Sequence, residues 1–363
     1  MRIATLWTHL SGYLNACLRE LARIEGVELF VAHMTRSEDA PFEENQFSWL
    51  ASRYGYDRSP DKKTLLSRLT EFQPEVLLVS SWHISAYRFV LRKLRGKAIR
   101  VLAMDNQWRG RWKQWLGVLN SPWYLHALYD AVFLPGERQV VFAKKLGFSE
   151  RQIVRGLYSC DHEKFAAVHK MKAQRGLPPP EAFIYVGRFT KEKGIQVLAE
   201  AYLEYRSKTA DPWTLDCCGT GPLRKLLEGV EGVQIHGFVQ PDQLPQKFSL
   251  ASCLVLPSRF EPWGIVIHEA TAAGLAVICS SACGASVHLV QDGFNGYIVQ
   301  PGNPDHLATA MFRYTRLSEQ KRKKMAANGY SLSAQFTPRR WATYFLERTQ
   351  ELLQDSLLSD DRA

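Results

Sequence analysis

Three stretches of this 363-residue chain gather residue types suited to holding an anion and hydroxyl groups. The first is Gly187-Arg188-Phe189-Thr190-Lys191-Glu192-Lys193-Gly194, between a short apolar run and an amphipathic stretch. Gly187 permits a tight turn, Arg188 offers a planar fork of donors, and Lys193 places a point charge near a helix start, a combination that suits a diphosphate. The same loop also reads as a solvated basic connection. The second, Cys218-Gly219-Thr220-Gly221-Pro222-Leu223, has Arg224 where the third glycine of a dinucleotide fingerprint would fall, so alone it reads as a turn. The third runs from Pro257 through Ser258-Arg259-Phe260-Glu261-Pro262-Trp263-Gly264-Ile265-Val266 to Glu269-Ala270. Backbone N–H groups of Trp263, Gly264 and Ile265 are orphan donors at a helix start, able to hold an anion or hydroxyls. Glu261 and Glu269, eight residues apart, would accept hydroxyl hydrogen bonds from different parts of one elongated ligand. Each also has a plainer reading, Glu261 as a helix-start carboxylate and Glu269 as an exposed helix residue, but the flanking Phe260, Pro262, Trp263 and Ala270 favour a packed setting.

Such loops need a scaffold that ends them at one place. Short apolar runs alternating with amphipathic stretches are what a parallel sheet with crossover helices requires. Strands are predicted at 3–7, 28–33, 76–80, 99–104, 131–134 and 152–155, and again at 183–187, 214–218, 233–237, 253–256, 276–280 and 296–299. Helices are predicted between them, notably over 12–25 and 85–94. Arg175-Gly176-Leu177-Pro178-Pro179-Pro180 interrupts both patterns. The expected organisation is an α/β fold of two facing Rossmann-like domains with parallel sheets, 1–169 and 182–335, joined by a linker at 170–181. A helix at 336–357 packs across both domains, and 358–363 form a frayed tail. Ligands of such sheets sit at the carboxyl ends of the strands, where each of the three stretches lies.

Composition is that of a soluble globular protein, 46% apolar and 23% charged, which excludes fibrous and disordered classes. The net charge of +10 favours an anionic partner. Between Arg88 and Lys113 nine basic residues stand against the single acidic Asp105. Seven cysteines, with no C-x-x-C pair, read as reduced buried thiols of a cytosolic protein. The N-terminal apolar run turns polar at Thr8-His9, too early for a signal-peptide core, and no run reaches membrane-span length. The expected location is cytoplasmic, with any membrane contact peripheral and on the cytosolic face.

Taken in order, Gly187-Arg188…Lys193-Gly194, Gly219-x-Gly221-Pro222-Leu223, His236-Gly237-Phe238-Val239, Glu261-x7-Glu269 and Asp292-Gly293-Phe294-Asn295-Gly296 resemble the C-terminal domain of the retaining GT-B glycosyltransferases of family 4, the glycosyl transferases group 1. The resemblance spans about Phe183 to Met311 and is weaker back to Met1. It implies that 182–335 bind a nucleotide-sugar donor and 1–169 an acceptor, with Arg188 and Lys193 on the diphosphate of a UDP- or GDP-linked sugar. It further implies that Glu261 and the N–H groups of Trp263 and Gly264 hold donor-sugar hydroxyls, that Glu269 takes the ribose, and that Phe238, Val239 and Leu244 lie along the base. Gly12 would bring a helix start from the other domain to the distal phosphate. The chemistry implied is metal-independent with no cofactor, and the transferase would serve polysaccharide or other cell-surface glycan synthesis.

Two positions depart from the family pattern. Asp105-Asn106 stands where many members carry a histidine near the donor sugar, and His288 replaces the acidic residue before the Asp292-Gly293 turn. His83, at the end of a neighbouring predicted strand, is the candidate substitute imidazole. On the acceptor side, Trp108, Trp112 and Trp115 fall on one helical face among Arg109, Arg111 and Lys113. That segment reads as a site for an acceptor saccharide or lipid phosphate, as a helix resting on anionic lipid, or as a core face with a solvated basic side. The overall reading is a retaining glycosyltransferase acting on a saccharide or lipid-linked acceptor. The alternatives are a nucleotide-sugar 2-epimerase of the same fold and a non-enzymatic basic module binding membrane or nucleic acid. No nucleic-acid partner is expected, because no nucleic-acid-binding fold accompanies the basic patch.

Overall fold

The structure, a computed structural model, describes residues 1–35, 47–176 and 178–360. Leu177 of the expected linker and residues 361–363 of the expected tail lie outside the described residues. The chain divides into two compact units, Met1–Ser159 with Pro338–Ala363, and Cys160–Thr337.

The first unit runs β1 (Arg2–His9), α1 (Gly12–Ala22), β2 (Glu28–Met34), β3 (Arg53–Tyr56), α2 (Lys62–Phe72), β4 (Val76–Val79), α3 (Ser85–Lys93), β5 (Ile99–Ala103), α4 (Trp112–Tyr124), β6 (Ala131–Leu134), α5 (Glu137–Lys145) and β7 (Ile153–Arg155). Its seven strands pair in the order β3-β2-β1-β4-β5-β6-β7, all parallel. Both faces are covered, so inner strands such as Val76-Leu77-Leu78-Val79 are buried at every position rather than alternating.

The second unit runs α6 (His162–Gln174), β8 (Ala182–Val186), α7 (Ile195–Ser207), β9 (Thr214–Cys218), β10 (Val233–Gly237), α8 (Leu244–Ser249), β11 (Cys253–Leu256), α9 (Ile265–Ala272), β12 (Ala276–Ser280), α10 (Ser286–Leu289), β13 (Gly296–Val299), α11 (Pro304–Thr315) and α12 (Glu319–Ser333). Its sheet is again parallel, in the order β10-β9-β8-β11-β12-β13. Local chemistry sets the helix ends: α11 starts with Pro304 in its first turn, while the Asn303 side chain accepts from the His306 N–H at 3.0 Å. The last helix, α13 (Pro338–Asp360), belongs to the first unit, where Trp341 and Phe345 are buried and stack on Phe133 with ring centroids 5.7 and 5.2 Å away.

Several local expectations change. Helix α6 continues to Gln174, so the first residues of the expected linker are helical, and the units meet in sequence at Ser159–Cys160 and Thr337–Pro338. Strand β3 joins the edge beside β2. All seven cysteines are free and buried. Arg100, one of the nine clustered cations, is not a surface charge: it is buried, donating to both carboxylate oxygens of Asp130 at 2.6 and 2.9 Å. Trp108 lies ahead of α4, its ring edge-on to Trp115 at 5.0 Å, so it does not share the helix with Trp112 and Trp115. The core-face reading of that helix fails as well, because Ser121 alone is buried along α4. Among the described residues no helix is long and apolar enough to cross a membrane.

Candidate active site

In an open parallel sheet the strand order reverses at one point, and the loops leaving the two strands there diverge to open a crevice. In the second unit the reversal falls between β8 and β11. The loop after β8 holds Gly187 to Gly194, and the loop after β11 holds Pro257 to Gly264. Two of the three sequence stretches therefore flank the position where topology favours a ligand.

The two loops are tied together. Backbone N–H groups of Arg259 and Phe260 donate to the Glu192 carbonyl at 2.8 and 3.2 Å. Gly194 opens α7 in the left-handed region at φ 74°, and a Cβ there would lie 2.2 Å from the Pro257 carbonyl oxygen. Across this seam Lys193 Nζ forms an ion pair with Glu261 Oε2, and both side chains are largely shielded from solvent. Gly194→Ala is expected to lower stability by about 1–3 kcal/mol from backbone strain alone and to impair the site by prying the loops apart. Chemical denaturation checks this; an unchanged midpoint would mean the loops do not touch.

The Gly219-x-Gly221 turn is more than a bend. A Cβ on Gly219 would lie 1.9 Å from the Gly187 carbonyl oxygen, and one on Gly221 would lie 2.6 Å from that of Phe189. The Phe189 N–H donates to the Thr220 carbonyl at 2.7 Å, and the Leu223 N–H donates to the Phe189 carbonyl at 3.0 Å. Glycine is needed because backbone lies directly on backbone. The Gly219 turn thus braces the loop that carries Arg188, whose side chain is exposed.

Gly264, at φ 89°, turns the chain into α9, with Trp263 buried beside it and Ile265 as the first helical residue. The Gly284 N–H donates to the Glu261 carbonyl at 3.1 Å and the Ala285 N–H to that of Trp263 at 2.8 Å, which fixes this loop on the next connection. Glu269 lies about one turn into α9. Burial pushes its carboxyl up to about 7; Lys164 nearby pulls it down and Asp161 pushes it up. On the other flank of the sheet, His236 bonds to the Asp216 carboxylate through Nε2, and Lys247 Nζ donates to its Nδ1 at 3.0 Å. This network holds the end of β10, from which Phe238 and Val239 continue, both partly buried; Leu244 starts α8 and is buried. His288 stands against the Trp263 ring at 5.8 Å and so supports the loop.

In the first unit the reversal lies between β1 and β4. Gly12 opens α1 just after β1, and His83 sits exposed in the loop after β4, its ring 5.3 Å from that of Trp82. Asp105 follows β5 and accepts from the Tyr158 hydroxyl at 3.3 Å, while its own carbonyl accepts from Gln139 Nε2 at 3.1 Å. Tyr13 stands edge-on to Tyr158 at 5.1 Å. Burial, with a smaller push from Asp105, raises its hydroxyl to about 12. Sequence reasoning missed this Tyr13–Tyr158–Asp105 group. A signal was present, since both tyrosines lie just beyond strand carboxyl ends.

Residues 169–332 match the family model described as glycosyl transferases group 1. This segment of the chain belongs to that family. The matched range runs from within α6 into α12 and takes in the loops after β8, β9 and β11. Alpha-D-kanosaminyltransferase of Streptomyces kanamyceticus is 32% identical over 179 residues, 46% of this chain and 46% of that protein. The chain therefore matches about half the length of this curated relative, and 34% of an uncharacterized glycosyltransferase of Methanocaldococcus jannaschii. Among solved structures, a glycosyltransferase from Rickettsia africae superposes with a TM-score of 0.75 at 15% identity, covering 97% of this chain and 98% of that one. HepE of Anabaena, solved in complex with UDP, gives 0.74 at 17% identity, covering 97% and 100%. At these identities the likeness is one of fold, and that fold is GT-B.

Proposed function

We propose that the group 1 glycosyltransferase segment works here as part of a retaining glycosyltransferase that moves a sugar from a nucleoside-diphosphate donor to a saccharide or lipid-linked acceptor. The observation that carries this reading is the Lys193–Glu261 pair at the strand-order reversal of the second sheet, on two loops fastened to each other. A cation and an anion so placed suit a ligand with a phosphate end and a hydroxyl-bearing end. Arg188 and Lys193 take the diphosphate, and Glu261 with the Trp263 and Gly264 N–H groups takes the sugar. Glu269 takes the ribose, and Phe238, Val239 and Leu244 line the base. The UDP in the HepE complex supports a uridine donor, while a guanosine donor fits the same groups. The first unit receives the acceptor at the carboxyl end of its sheet, where Asp105, Tyr13 and His83 lie.

In the step proposed, the bond from the sugar C1 to the diphosphate oxygen breaks while the acceptor oxygen bonds to C1 on the same face. The acceptor proton passes to the departing diphosphate oxygen, so no protein nucleophile is used. Arg188 and Lys193 offset the negative charge that grows on the diphosphate.

The test is a panel of uridine- and guanosine-diphosphate sugars added to the full chain, followed by melting temperature and nucleotide release. One donor is expected to raise the melting temperature and release its nucleotide, and Arg188→Ala to abolish both effects. Silence across the panel overturns the reading. NMR of the product fixes stereochemistry: an anomeric configuration opposite to the donor's would refute retention.

A further inference from the structure

Helix α4 is amphipathic in the usual way but turned inside out. At about 100° per residue, Trp112, Trp115, Leu116, Leu119 and Trp123 fall within an arc of about 100°. That arc faces outward: Trp112 is 67% exposed, Trp115 52%, Leu119 66% and Trp123 79%. The opposite face is held by polar bonds. Ser121 Oγ donates to the Leu146 carbonyl at 2.6 Å, Gln114 Nε2 donates to the Gln107 carbonyl at 2.8 Å, and the Arg109 N–H donates to Gln114 Oε1 at 2.8 Å. Fixed in this way, the helix cannot roll to bury its tryptophans in its own unit. A soluble protein rarely leaves so large an apolar stripe bare without a partner.

The surrounding charge says which partner. Lys145 Nζ lies 4.9 Å from the Trp108 ring centre and 5.4 Å from that of Trp115, and Lys113 lies 5.6 Å from Trp112. Arg109 and Arg111 precede the helix, which contains no acidic residue. The nearest carboxylates in sequence are engaged elsewhere, Asp105 with Tyr158 and Asp130 with Arg100. A second copy docking through the same stripe would set these cations against their duplicates. Tryptophans within a rim of Lys and Arg are instead the composition of a helix lying in the headgroup layer of an anionic bilayer.

We propose that α4 is a membrane-docking helix that inserts Trp112, Trp115, Leu119 and Trp123 into the interface of an anionic bilayer while Arg109, Arg111, Lys113 and Lys145 pair with lipid phosphates. About 20 Å long, it lies parallel to the surface and enters by about 5–10 Å. The first unit is thereby brought to the plane in which lipid-linked molecules diffuse. The proposal does not depend on the donor chemistry, so either can fail alone.

The test is flotation of the full chain with phosphatidylcholine vesicles, with and without phosphatidylglycerol. Binding is expected only to the anionic vesicles, with added salt weakening it. Trp112→Ser/Leu119→Ser/Trp123→Ser is expected to lower binding at least tenfold, and Arg109→Gln/Arg111→Gln/Lys113→Gln by about 100-fold. Because the stripe is exposed, the first variant keeps the wild-type melting temperature; the charge variant leaves the stripe intact and is an independent arm if it does not. Absence of flotation by the wild-type chain, or flotation of both variants as strong as that of the wild type, overturns the proposal. So does a self-association in sedimentation that the tryptophan variant abolishes while vesicles leave it unchanged, since the stripe would then bind a second copy.

Discussion

On the proposed reading, Lys193→Ala is expected to lower sugar transfer by about 100- to 1,000-fold, the usual effect of removing one group that stabilises charge growing in a transition state. The same change leaves Glu261, largely shielded and paired with Lys193, without its cation. Losing that cation costs about 2 kcal/mol of stability, less than at a fully buried pair because some solvent reaches both side chains. Activity and stability separate in the double variant Lys193→Met/Glu261→Gln, which removes both charges. It should regain most of the lost stability in urea denaturation and none of the lost transfer. Wild-type-like turnover of Lys193→Ala would remove Lys193 from the reaction. Recovery of transfer in the double variant would reduce the pair to a structural clasp.

If Glu269 meets the donor as proposed, donor affinity is expected to fall about tenfold for each pH unit below about 7, and Glu269→Gln to abolish that slope. The cause is the carboxyl of Glu269, which burial pushes up to about 7. In the proposed role the carboxylate would accept from ribose hydroxyls; once protonated it loses that capacity at one oxygen, so the ligand must work against the proton. Stability carries the opposite signature. Since the folded value lies above the unfolded one, the contribution of Glu269 is fully present below about pH 4.5 and is lost as pH rises through about 7. Glu269→Gln is then more stable than wild type by about 1–3 kcal/mol near pH 8 and no more stable near pH 4.5. Melting curves at the two pH values and a donor titration across the range check both halves. A flat affinity profile in the wild-type protein would mean that Glu269 does not meet the donor.

The strands were legible because parallel strands buried on both faces read as continuous apolar runs, as in Val76 to Val79 and Cys253 to Leu256. β3 was not, because Arg53-Tyr54-Gly55-Tyr56 is an edge strand with a glycine inside and only Tyr56 buried. The motif loops could be placed at strand ends from sequence. Their mutual contacts could not, because Gly194 against Pro257, and Gly219 against Gly187, join residues distant in the chain. Glu269 gives no sign in sequence of how strongly it is desolvated. For α4 the amphipathic spacing was plain, yet the direction its apolar side faces depends on hydrogen bonds to Gln107 and Leu146 that periodicity does not encode.

The position of α13 in the chain decides the order in which the protein is completed. A ribosome makes Met1–Ser159 first, then the whole of Cys160–Thr337, and only afterwards the helix whose Trp341 and Phe345 fill the first unit's core beside Phe133. The earlier-made unit is thus the later to mature, waiting with Phe133 unroofed while the continuous second unit closes. The second unit is thus inserted in sequence within the first, and a stop codon ahead of Pro338 would deprive the first unit of part of its core rather than trim a tail.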